Sequence, residues 1–468
     1  MAYAADKLVV EGLPITRLDK LEIQCGPGEH GWCRLTGYVE SENGEELIYG
    51  MQENTPIQVF ADGSLMFGGL ITNIKISGAG NTCYVEAECR TRSILMDQKK
   101  RSRSFQNTDM TYSELAQVVL SEYDNAEISF SIPDAPIGEI AVQYRETDWQ
   151  FLKRMLSMVY APLTCHPAAE NIQLYAGVPQ IPYRNWSCEV VGFCKEMGEF
   201  QYWKQLGKGT GDDKFQIIAL RTDIMAELFE SLEIFGQSLS VRSVSGKMDK
   251  GIFECRCELQ KAEGILARQE YPMHLIGTAL EGTVLEVAGV EIRVHLKIDD
   301  ENNQPEIYWF PFSTLSASQD GSGWYYMPEK GDQVRIYFPT KHTKDAIAVS
   351  AVSSYDGKND SVPDRMGTPS TKYLRNPSGQ ELKMGEDGVT LSCNGGTASV
   401  TMGNGGDVTL YAANTLLVQA SNNVELTAET EINLSAAQAA VVSCAQGGGI
   451  QMQPGGTLQV QGTEVKID

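Results

Sequence analysis

An eight-residue repeat runs through the C-terminal part of the chain. Pairs of apolar residues two positions apart begin at Val400, Val408, Leu416, Val424 and Ile432. Because side chains alternate between the two faces of a strand, each pair places two apolar residues on one face of a short strand. One chain of such strands has only a thin apolar stripe, which it cannot bury by itself. The repeat therefore predicts a stem in which several copies of the chain share one core.

Three copies wound about one axis would bury this stripe inside a narrow triangular prism and cover one another's strand edges. A narrow core also agrees with the composition of residues 372–468, where Tyr373 and Tyr411 are the only aromatic residues. We therefore predict an intertwined triple-stranded β-helix over residues 372–468. The alternative is a disordered low-complexity tail, but disorder does not require an eight-residue register.

The predicted core of the stem consists of apolar residues that follow this register. The register slips after Leu434 and resumes approximately with the pairs Val442/Cys444, Ile450/Met452, Leu458/Val460 and Val465/Ile467. The core positions that we predict are Val389, Leu391, Val400, Met402, Val408, Leu410, Leu416, Val418, Val424, Leu426, Ile432, Leu434, Ile450, Met452, Leu458 and Val460.

The N-terminal region, residues 1–270, alternates apolar and polar residues in short runs separated by turn signals. Such alternation is typical of antiparallel strands, so we predict barrels or sandwiches here. Two helices are expected where capping boxes precede apolar residues at helical spacing, at Thr111 with Glu114 and at Thr147 with Gln150. Residues 222–233 also have helical spacing, which predicts one more helix.

Two further segments complete the predicted domain organisation. Residues 271–355 hold about five short strand-like runs, which suits an OB-type barrel. Residues 356–371 are polar and contain two prolines, which is a linker composition. The fold class expected is therefore mainly β, with α-helical inserts in the first region.

Charge and hydropathy exclude several classes of protein. The formal net charge of −23 disfavours binding to nucleic acid and to anionic lipid surfaces. No apolar run is long enough to cross a membrane as a helix, and the first residues lack the pattern of a signal peptide. We therefore expect synthesis and folding in the cytoplasm, without a signal peptide.

No residue pattern predicts a cofactor, a metal site or a catalytic centre. Cys255 and Cys257 share one strand face, but no second Cys/His pair with zinc spacing accompanies them. Residues 207–211 (GKGTG) lack the spacing of a phosphate-binding loop. The basic run at 99–103 and the acidic run at 299–301 are interpreted as solvated segments, with an interface to an acidic partner as the alternative for the basic run.

Two motifs accompany the stem repeat. Residues 144–154 read YRETDWQFLKR, and residues 324–328 (WYYMP) are followed by Gly331 and Asp332. The chain thereby resembles the spike proteins of contractile injection systems, in which the first motif is a recognisable run and the second belongs to the OB domain. The octad stem and the order of hub, OB barrel and stem agree with it. The family includes VgrG of type VI secretion and the fused hub-spikes of myoviruses, bacteriocins and extracellular injection systems. The motif residues are Tyr144, Arg145, Glu146, Asp148, Trp149, Phe151, Leu152, Pro328, Gly331 and Asp332.

The resemblance implies a structural role and no enzymatic activity. Residues 1–270 would form two tube-like barrels per subunit, and three subunits would form a pseudo-sixfold ring that adapts a hexameric tube to a threefold spike. The OB barrel would be a collar, and the needle would puncture the target envelope when the sheath contracts. The implied partners are two further copies, the inner tube protein, baseplate proteins and, transiently, the target envelope.

The resemblance also implies where the protein acts: in the baseplate of a virion, bacteriocin or injection system, delivered outside the cell on contraction. No histidine follows His342, so the apical HxH iron site of some phage spikes cannot form. The stem is therefore expected to carry a separate tip protein of the PAAR type or to have a blunt end. The alternatives are a trimeric tail-fibre depolymerase, which would need aromatic platforms and carboxylate pairs, and a receptor-binding fibre, which would usually end in a globular head.

Overall fold

A computed structural model describes residues 3, 7–40, 44–78, 82–208, 211–249, 251–301, 304–349, 367–464 and 466. The chain divides into two compact units, Met1–Ser354 and Tyr355–Asp468. Most of the predicted linker at 356–371 lies outside the described residues, which resume at residue 367. The domain boundaries given above stay predictions.

The first part of the N-terminal unit forms antiparallel strands, as its alternating pattern predicts. Its elements are β1 (Leu8–Glu11), β2 (Arg17–Cys25), β3 (Trp32–Glu40), α1 (Gly44–Gly50), β4 (Pro56–Ala61), β5 (Ser64–Gly78) and β6 (Thr82–Thr91). In the sheet they are ordered β1-β4-β5-β6-β3-β2. Asp62 and Gly63, both with positive φ, form the two-residue turn between β4 and β5.

An insert with two helices follows these strands. Its elements are β7 (Lys100–Phe105), α2 (Tyr112–Leu120), β8 (Glu127–Phe130), β9 (Ala141–Thr147), α3 (Asp148–Met158), β10 (Leu163–Cys165) and β11 (Gln173–Ala176). Both predicted capping boxes are confirmed, with Thr111 and Glu114 at the start of α2, and Thr147 and Gln150 at the start of α3. The apolar faces of the two helices pack into one buried cluster.

A second set of strands repeats the order of five strands of the first. It comprises β12 (Ile181–Pro182), β13 (Glu189–Lys195), α4 (Met197–Gln205), β14 (Gln216–Thr222), β15 (Glu230–Ile234), β16 (Gln237–Asp249) and β17 (Ile252–Gln260). The sheet order β15-β16-β17-β14-β13 matches the order β4-β5-β6-β3-β2 strand for strand. Phe235 and Gly236, both with positive φ, form the equivalent two-residue turn.

The two halves join into one sheet of twelve strands over one hydrophobic core. The two predicted barrels therefore share a sheet. The junction is the antiparallel pairing of β2 with β16, which places Cys25 opposite Val244 and Leu21 opposite Met248. All four of these side chains are buried.

The helix predicted over residues 222–233 is wrong. Strand β14 ends where this run begins, and β15 begins at Glu230. Leu228 and Phe229 are buried, and Phe229 has a φ of 67°, which a right-handed helix does not allow. The apolar spacing that suggested a helix belongs to a loop that packs into the core, and the helix of this half is α4.

Five strands form the sheet of the predicted OB barrel. They are β18 (Ala279–Ala288), β19 (Glu291–Leu296), β20 (Trp309–Pro311), β21 (Gln333–Tyr337) and β22 (Ile347–Val349). The sheet order is β20-β19-β18-β21-β22. Ile140 and Val142 of the insert belong to the same buried cluster as Ile292, Phe310 and Ile336 of the barrel. The barrel is therefore packed on the insert through a shared core.

The C-terminal unit contains two antiparallel meanders. The first has β23 (Lys372–Arg375), β24 (Glu381–Gly385), β25 (Gly388–Cys393), β26 (Ala398–Gly403) and β27 (Val408–Ala412), and the second has β28 (Ala440–Cys444), β29 (Gly448–Gln453) and β30 (Thr457–Gln461). In each meander the sheet order follows the chain order. Between the meanders, residues 415–436 belong to no sheet of the described chain.

Candidate assembly surfaces

The register of the first meander aligns apolar residues in two columns. Leu391 lies opposite Val400, and Val400 lies opposite Leu410 on the next strand. Because alternate residues of a strand share a face, both columns lie on one face of the sheet. The columns are Leu374, Leu382, Leu391, Val400 and Leu410, and Met384, Val389, Met402 and Val408. The octad pattern did not reveal Leu374, Leu382 and Met384, which alternation along β23 and β24 does show.

This apolar face is open to solvent in the single chain. Leu391, Val408 and Leu410 are 56 %, 67 % and 55 % exposed, and Val389 is half-buried. Large contiguous apolar surfaces are rare on proteins that stay monomeric in water, because leaving them hydrated is unfavourable. The face therefore marks a contact surface.

The backbone of the central stem segment repeats every eight residues. Bends occur at 413–414, 421–422, 429–430 and 437–438, and each stretch between two bends carries one predicted pair. The exposed fraction of these side chains runs from 51 % at Ile432 to 71 % at Leu434. No strand of the described chain pairs with these stretches, so their backbone groups are left for water or for another chain. The pairs are Leu416/Val418, Val424/Leu426 and Ile432/Leu434.

The second meander has the same arrangement on a smaller scale. One column is Val442, Ile450 and Val460, and the other is Ala440, Met452 and Leu458. The register adds Ala440 to the predicted set and leaves Cys444 opposite Gly448 at the end of the sheet. The last predicted pair, Val465 and Ile467, lies outside the described residues.

In the hub motif, Asp148 is the centre of a buried polar network. Its side chain has no exposed surface, and its carboxylate accepts hydrogen bonds from Arg103 Nη2 (2.9 Å), Tyr123 Oη (2.7 Å) and Gln143 Nε2 (2.9 Å). Arg101 Nε lies 3.0 Å from the same carboxylate. Burial, together with the hydrogen bond to Asp148, raises the pKa of Tyr123. A buried carboxylate needs such partners to remain charged.

The motif contains a second buried ion pair, between Arg154 and Glu146. The guanidinium binds the carboxylate in bidentate fashion, with Nε–Oε1 at 2.8 Å and Nη2–Oε2 at 2.7 Å. Arg154 Nη2 also donates to the carbonyl oxygen of Val142 at 2.8 Å. This pair ties α3 to β9, because Arg154 lies on the helix and both partners lie on the strand.

The remaining motif residues of the insert are mostly apolar and buried. Trp149 lies against the ring of His30, with ring centroids 4.2 Å apart, and Phe151 stacks on Phe105 at 5.5 Å. Leu152 is buried in the same cluster. At the bulge of β9, the Arg145 guanidinium lies 5.2 Å from the centroid of the Tyr144 ring. These contacts are structural.

The OB motif forms a tight turn before β21. Asp332 Oδ2 accepts a hydrogen bond from the backbone N–H of Glu329 at 2.8 Å, and Gly331 has a φ of 95°, which favours glycine. The Gly331 N–H donates to the carbonyl oxygen of Val284 at 2.8 Å. Pro328, which is half-buried, precedes this turn. The turn fixes the start of β21 against β18.

The basic and acidic runs that were expected to be solvated are so only in part: Lys99, Lys100, Asp300 and Glu301 are exposed, and the other members have partners within the chain. Residues 100–103 lie in β7, where Arg101 and Arg103 bind Asp148 and Glu122 instead of facing solvent. Asp299 is buried and accepts hydrogen bonds from the backbone N–H and the hydroxyl of Ser104, both at 2.5 Å. Sequence reasoning missed these contacts because the partners lie far apart along the chain.

Metal ligands do not cluster in the part of the chain that the structure describes: no group of three or more His, Cys, Asp or Glu side chains there could hold an ion. All the cysteines are free thiols, and burial raises the pKa of several of them, including Cys255 and Cys257. No described helix is long and apolar enough to span a membrane.

Two segments match known protein families. Residues 54–158 match the family described as phage tail baseplate hub (GPD), and residues 280–352 match the type VI secretion system/phage-baseplate injector OB domain. The chain thus contains one segment similar to phage tail baseplate hubs and one similar to injector OB domains. The resemblance suggested by the sequence motifs is thereby confirmed for the hub and the OB domain. No curated protein matches the chain.

Three solved structures of tail and secretion proteins are similar to this chain at low sequence identity. The E. coli c3393 protein is described as a type VI secretion component similar to the T4 tail proteins gp27 and gp5. It is 14 % identical, with a TM-score of 0.50 over 73 % of this chain and 99 % of that one. The lidded Francisella PdpA–VgrG complex is 10 % identical, with a TM-score of 0.49 over 84 % of this chain and 76 % of that one. The MuSo2 prophage tail protein of Shewanella oneidensis is 10 % identical, with a TM-score of 0.41 over 58 % of this chain and 100 % of that one.

Proposed function

We propose that this chain is the trimeric hub and spike of a contractile injection system. Residues 372–468 of three copies wind into one triple-stranded β-helix, and residues 1–270 form the hub. The OB collar at 271–355 lies between hub and spike in the chain, followed by the linker at 356–371. The hub adapts a hexameric inner tube to the threefold spike, and contraction of the sheath drives the spike through the target envelope.

The observation that carries this proposal is the eight-residue backbone repeat at 413–438, which pairs with no strand of the described chain and whose apolar pairs are exposed. Burying one Val, Leu or Ile side chain stabilises a structure by ~1.5–3 kcal/mol. The three pairs of this segment would therefore contribute on the order of 10 kcal/mol per chain, which is comparable to the cost of association. Two further copies supply both the missing strand partners and the missing apolar contacts.

The role that we propose is mechanical rather than enzymatic. The hub and OB domains are those of structural tail and baseplate proteins. The partners proposed are two further copies, the inner tube protein, baseplate proteins, a PAAR-type tip protein or cargo, and transiently the target envelope. The protein would be assembled into the baseplate of a phage, bacteriocin or secretion system and leave the cell on contraction.

The test compares two substitutions in strand β27 of the full chain. Leu410 lies on the apolar face and Thr409 on the opposite face, and both are exposed in the single chain. A monomer would tolerate Leu410→Asp and Thr409→Asp equally. If the chain is a trimer, only Leu410→Asp should prevent its assembly, because that change places a carboxylate in the shared core. Light scattering of the unmodified chain and both variants gives the masses.

We expect about three times the chain mass of 51.4 kDa for the unmodified chain and for Thr409→Asp. For Leu410→Asp we expect dissociation or aggregation. A folded monomer for the unmodified chain at micromolar concentration would refute the proposed trimer. Equal behaviour of the two variants would show that the apolar face is not the shared core.

A further inference from the structure

The turns of the stem are of two kinds. Those of the first meander contain Gly396 and Gly406, with φ of 94° and 92°, and those of the second contain Gly447 and Gly455, with φ of 94° and 90°. A short hairpin loop uses such a positive φ to bring the chain back beside itself. The turns of both meanders therefore reverse the direction of the chain.

The central segment turns without glycine. Residues 407–446, all of which the structure describes, contain no glycine and no residue with a positive φ. The stretches on either side of each bend at 413–414, 421–422, 429–430 and 437–438 do not pair with each other. These bends therefore turn a corner without folding the chain back. A chain that turns a corner every eight residues passes from one side of a prism to the next, and three such chains become intertwined.

The slip in the eight-residue register lies between the two kinds of turn. Apolar pairs begin eight residues apart up to Ile432, and the next pair begins two residues late, at Val442. The last corner, at 437–438, and the first residue of β28, Ala440, both fall in this longer interval. The slip therefore marks the place where the chain stops turning corners and starts to form hairpins.

The second meander completes its strand pairing within one chain. Every strand of this meander pairs with another of its strands, in the order β28-β29-β30. Its apolar face is nevertheless open, because Val442, Ile450 and Leu458 are 64 %, 43 % and 61 % exposed. A sheet whose apolar face stays hydrated lacks the main driving force for folding. The second meander therefore needs a cover for this face rather than strands from another chain.

We propose that residues 440–461 of each copy form one complete side of the stem, and that three copies close a triangular end piece in which no chain crosses to another side. The three apolar faces bury one another in this end piece, which holds the chains together just after the intertwined segment. Closure of the end piece by three copies rests on the proposed trimer. The stem is thus not one uniform β-helix to its end.

The experiment tests whether strand pairs of the end piece join residues of one chain or of two. Gln451 of β29 and Gln459 of β30 lie directly opposite each other, on the face away from the apolar columns. Both are replaced by cysteine in the full chain. Copper phenanthroline in air then oxidises opposed thiols, whose separation a disulfide can span. The exposed native cysteines are first replaced by serine: Cys188, Cys194, Cys393 and Cys444.

Three measurements separate the possible arrangements. Light scattering gives the mass of the assembly before and after oxidation. Mass spectrometry shows whether both introduced thiols are lost, and non-reducing gels of samples heated in SDS show whether a disulfide joins two chains. We expect a trimeric mass before and after oxidation, loss of both thiols, and single chains on the gel.

Two controls in the same serine background make a negative result decisive. Glu233→Cys with Ser238→Cys places thiols on exposed strand partners of one hub hairpin, β15 and β16, and should close within the chain. Gln451→Cys alone has no opposed thiol and should stay reduced.

Disulfides between chains would overturn the proposed end piece, because the strand pairs would then join two copies. Thiols that survive at 451 and 459 while the hub pair closes would overturn it too, and so would loss of the trimeric mass on oxidation. In each of these cases a trimeric mass before oxidation leaves the proposed trimer intact. A monomeric mass before oxidation would overturn the proposed trimer and the end piece together.

Discussion

The guanidinium of Arg103 lies 2.9 Å from the carboxylate of Asp148 in the interior of the hub insert, measured between Nη2 and Oδ1. Asp148 is the first residue of α3, where a negative charge also interacts favourably with the helix N-terminus. Arg103 lies on β7, and Glu122, just after α2, binds the same guanidinium at 2.6 Å. One buried charge network therefore joins a strand and two helices.

Replacing Asp148 by Asn should destabilise the hub because it leaves Arg101 and Arg103 facing a neutral amide. Removing one partner of a buried ion pair typically costs about 3 kcal/mol or more. The matched control is Glu122→Gln, whose side chain is 31 % exposed and should cost no more than about 1 kcal/mol. Urea unfolding followed by near-ultraviolet circular dichroism measures both. Similar midpoints for the two variants would contradict the central role of Asp148.

Acidic pH should lower the stability of the second half of the hub, because it protonates Glu230. Burial opposes ionisation of this carboxyl, but hydrogen bonds from Arg184, Trp186 and backbone N–H groups lower its pKa overall. A carboxyl whose folded pKa lies below its unfolded value stabilises the fold above that unfolded value, and the contribution is lost as the pH falls through the folded pKa. Glu230→Gln should therefore melt well below the unmodified chain near neutral pH.

The gap in melting temperature between Glu230→Gln and the unmodified chain should narrow as the pH is lowered from about 6 to about 3. The control is Glu233→Gln on the same strand, β15, where the side chain of Glu233 is exposed. That variant should show a small gap that does not change with pH. A constant large gap for Glu230→Gln would mean that packing, and not charge, accounts for the loss.

The contribution of His295 to stability should have the opposite pH dependence. Hydrogen bonds to Asp300 (2.9 Å from Nε2) and to Glu306 on the other ring nitrogen raise its pKa. A histidine whose folded pKa exceeds its unfolded value stabilises the fold fully below the unfolded pKa, and the contribution is lost as the pH rises through the folded pKa. The ion pairs tie Asp300 and Glu306 to strand β19 of the OB barrel.

The melting temperature of His295→Gln should lie below that of the unmodified chain at about pH 5.5 and approach it at about pH 8.5. His274→Gln is a suitable control, because the structure shows no side-chain hydrogen bond or ion pair for the imidazole of His274 among the described residues. An equal decrease in the melting temperature of His295→Gln at both pH values would show that the charge of His295 does not stabilise the OB barrel.

Local features of the fold could be predicted from the sequence where neighbouring residues determine them. The capping boxes at Thr111 and Thr147 are set by residues three positions apart, and both helices begin there. The bends of the stem likewise follow the eight-residue spacing that the apolar pairs set. The helix expected at 222–233 failed because tertiary burial of Leu228 and Phe229 produced a helical spacing without a helix.

The surfaces of the hub could not be predicted, because they depend on which strands meet. Asp299 was expected in a solvated turn, yet its partner is Ser104, almost two hundred residues earlier. The pairing of β2 with β16, which joins the two halves, is visible only once the sheet order is known. The apolar columns of the stem could be predicted in part. Alternation along each strand shows which residues share a face, but only the hairpin register shows which residues lie opposite one another.

The stem should tolerate loss of a whole repeat but not of one residue. Deleting residues 416–423 joins Thr415 to Val424, so every later apolar pair keeps its face and each bend keeps its spacing. Deleting Asn422 alone moves all later pairs to the opposite face, since side chains alternate along a strand. We expect the first variant to remain a trimer in light scattering and the second to dissociate or aggregate. A disordered tail would tolerate both deletions equally. Equal masses for the two variants would therefore contradict a shared core that depends on the eight-residue register.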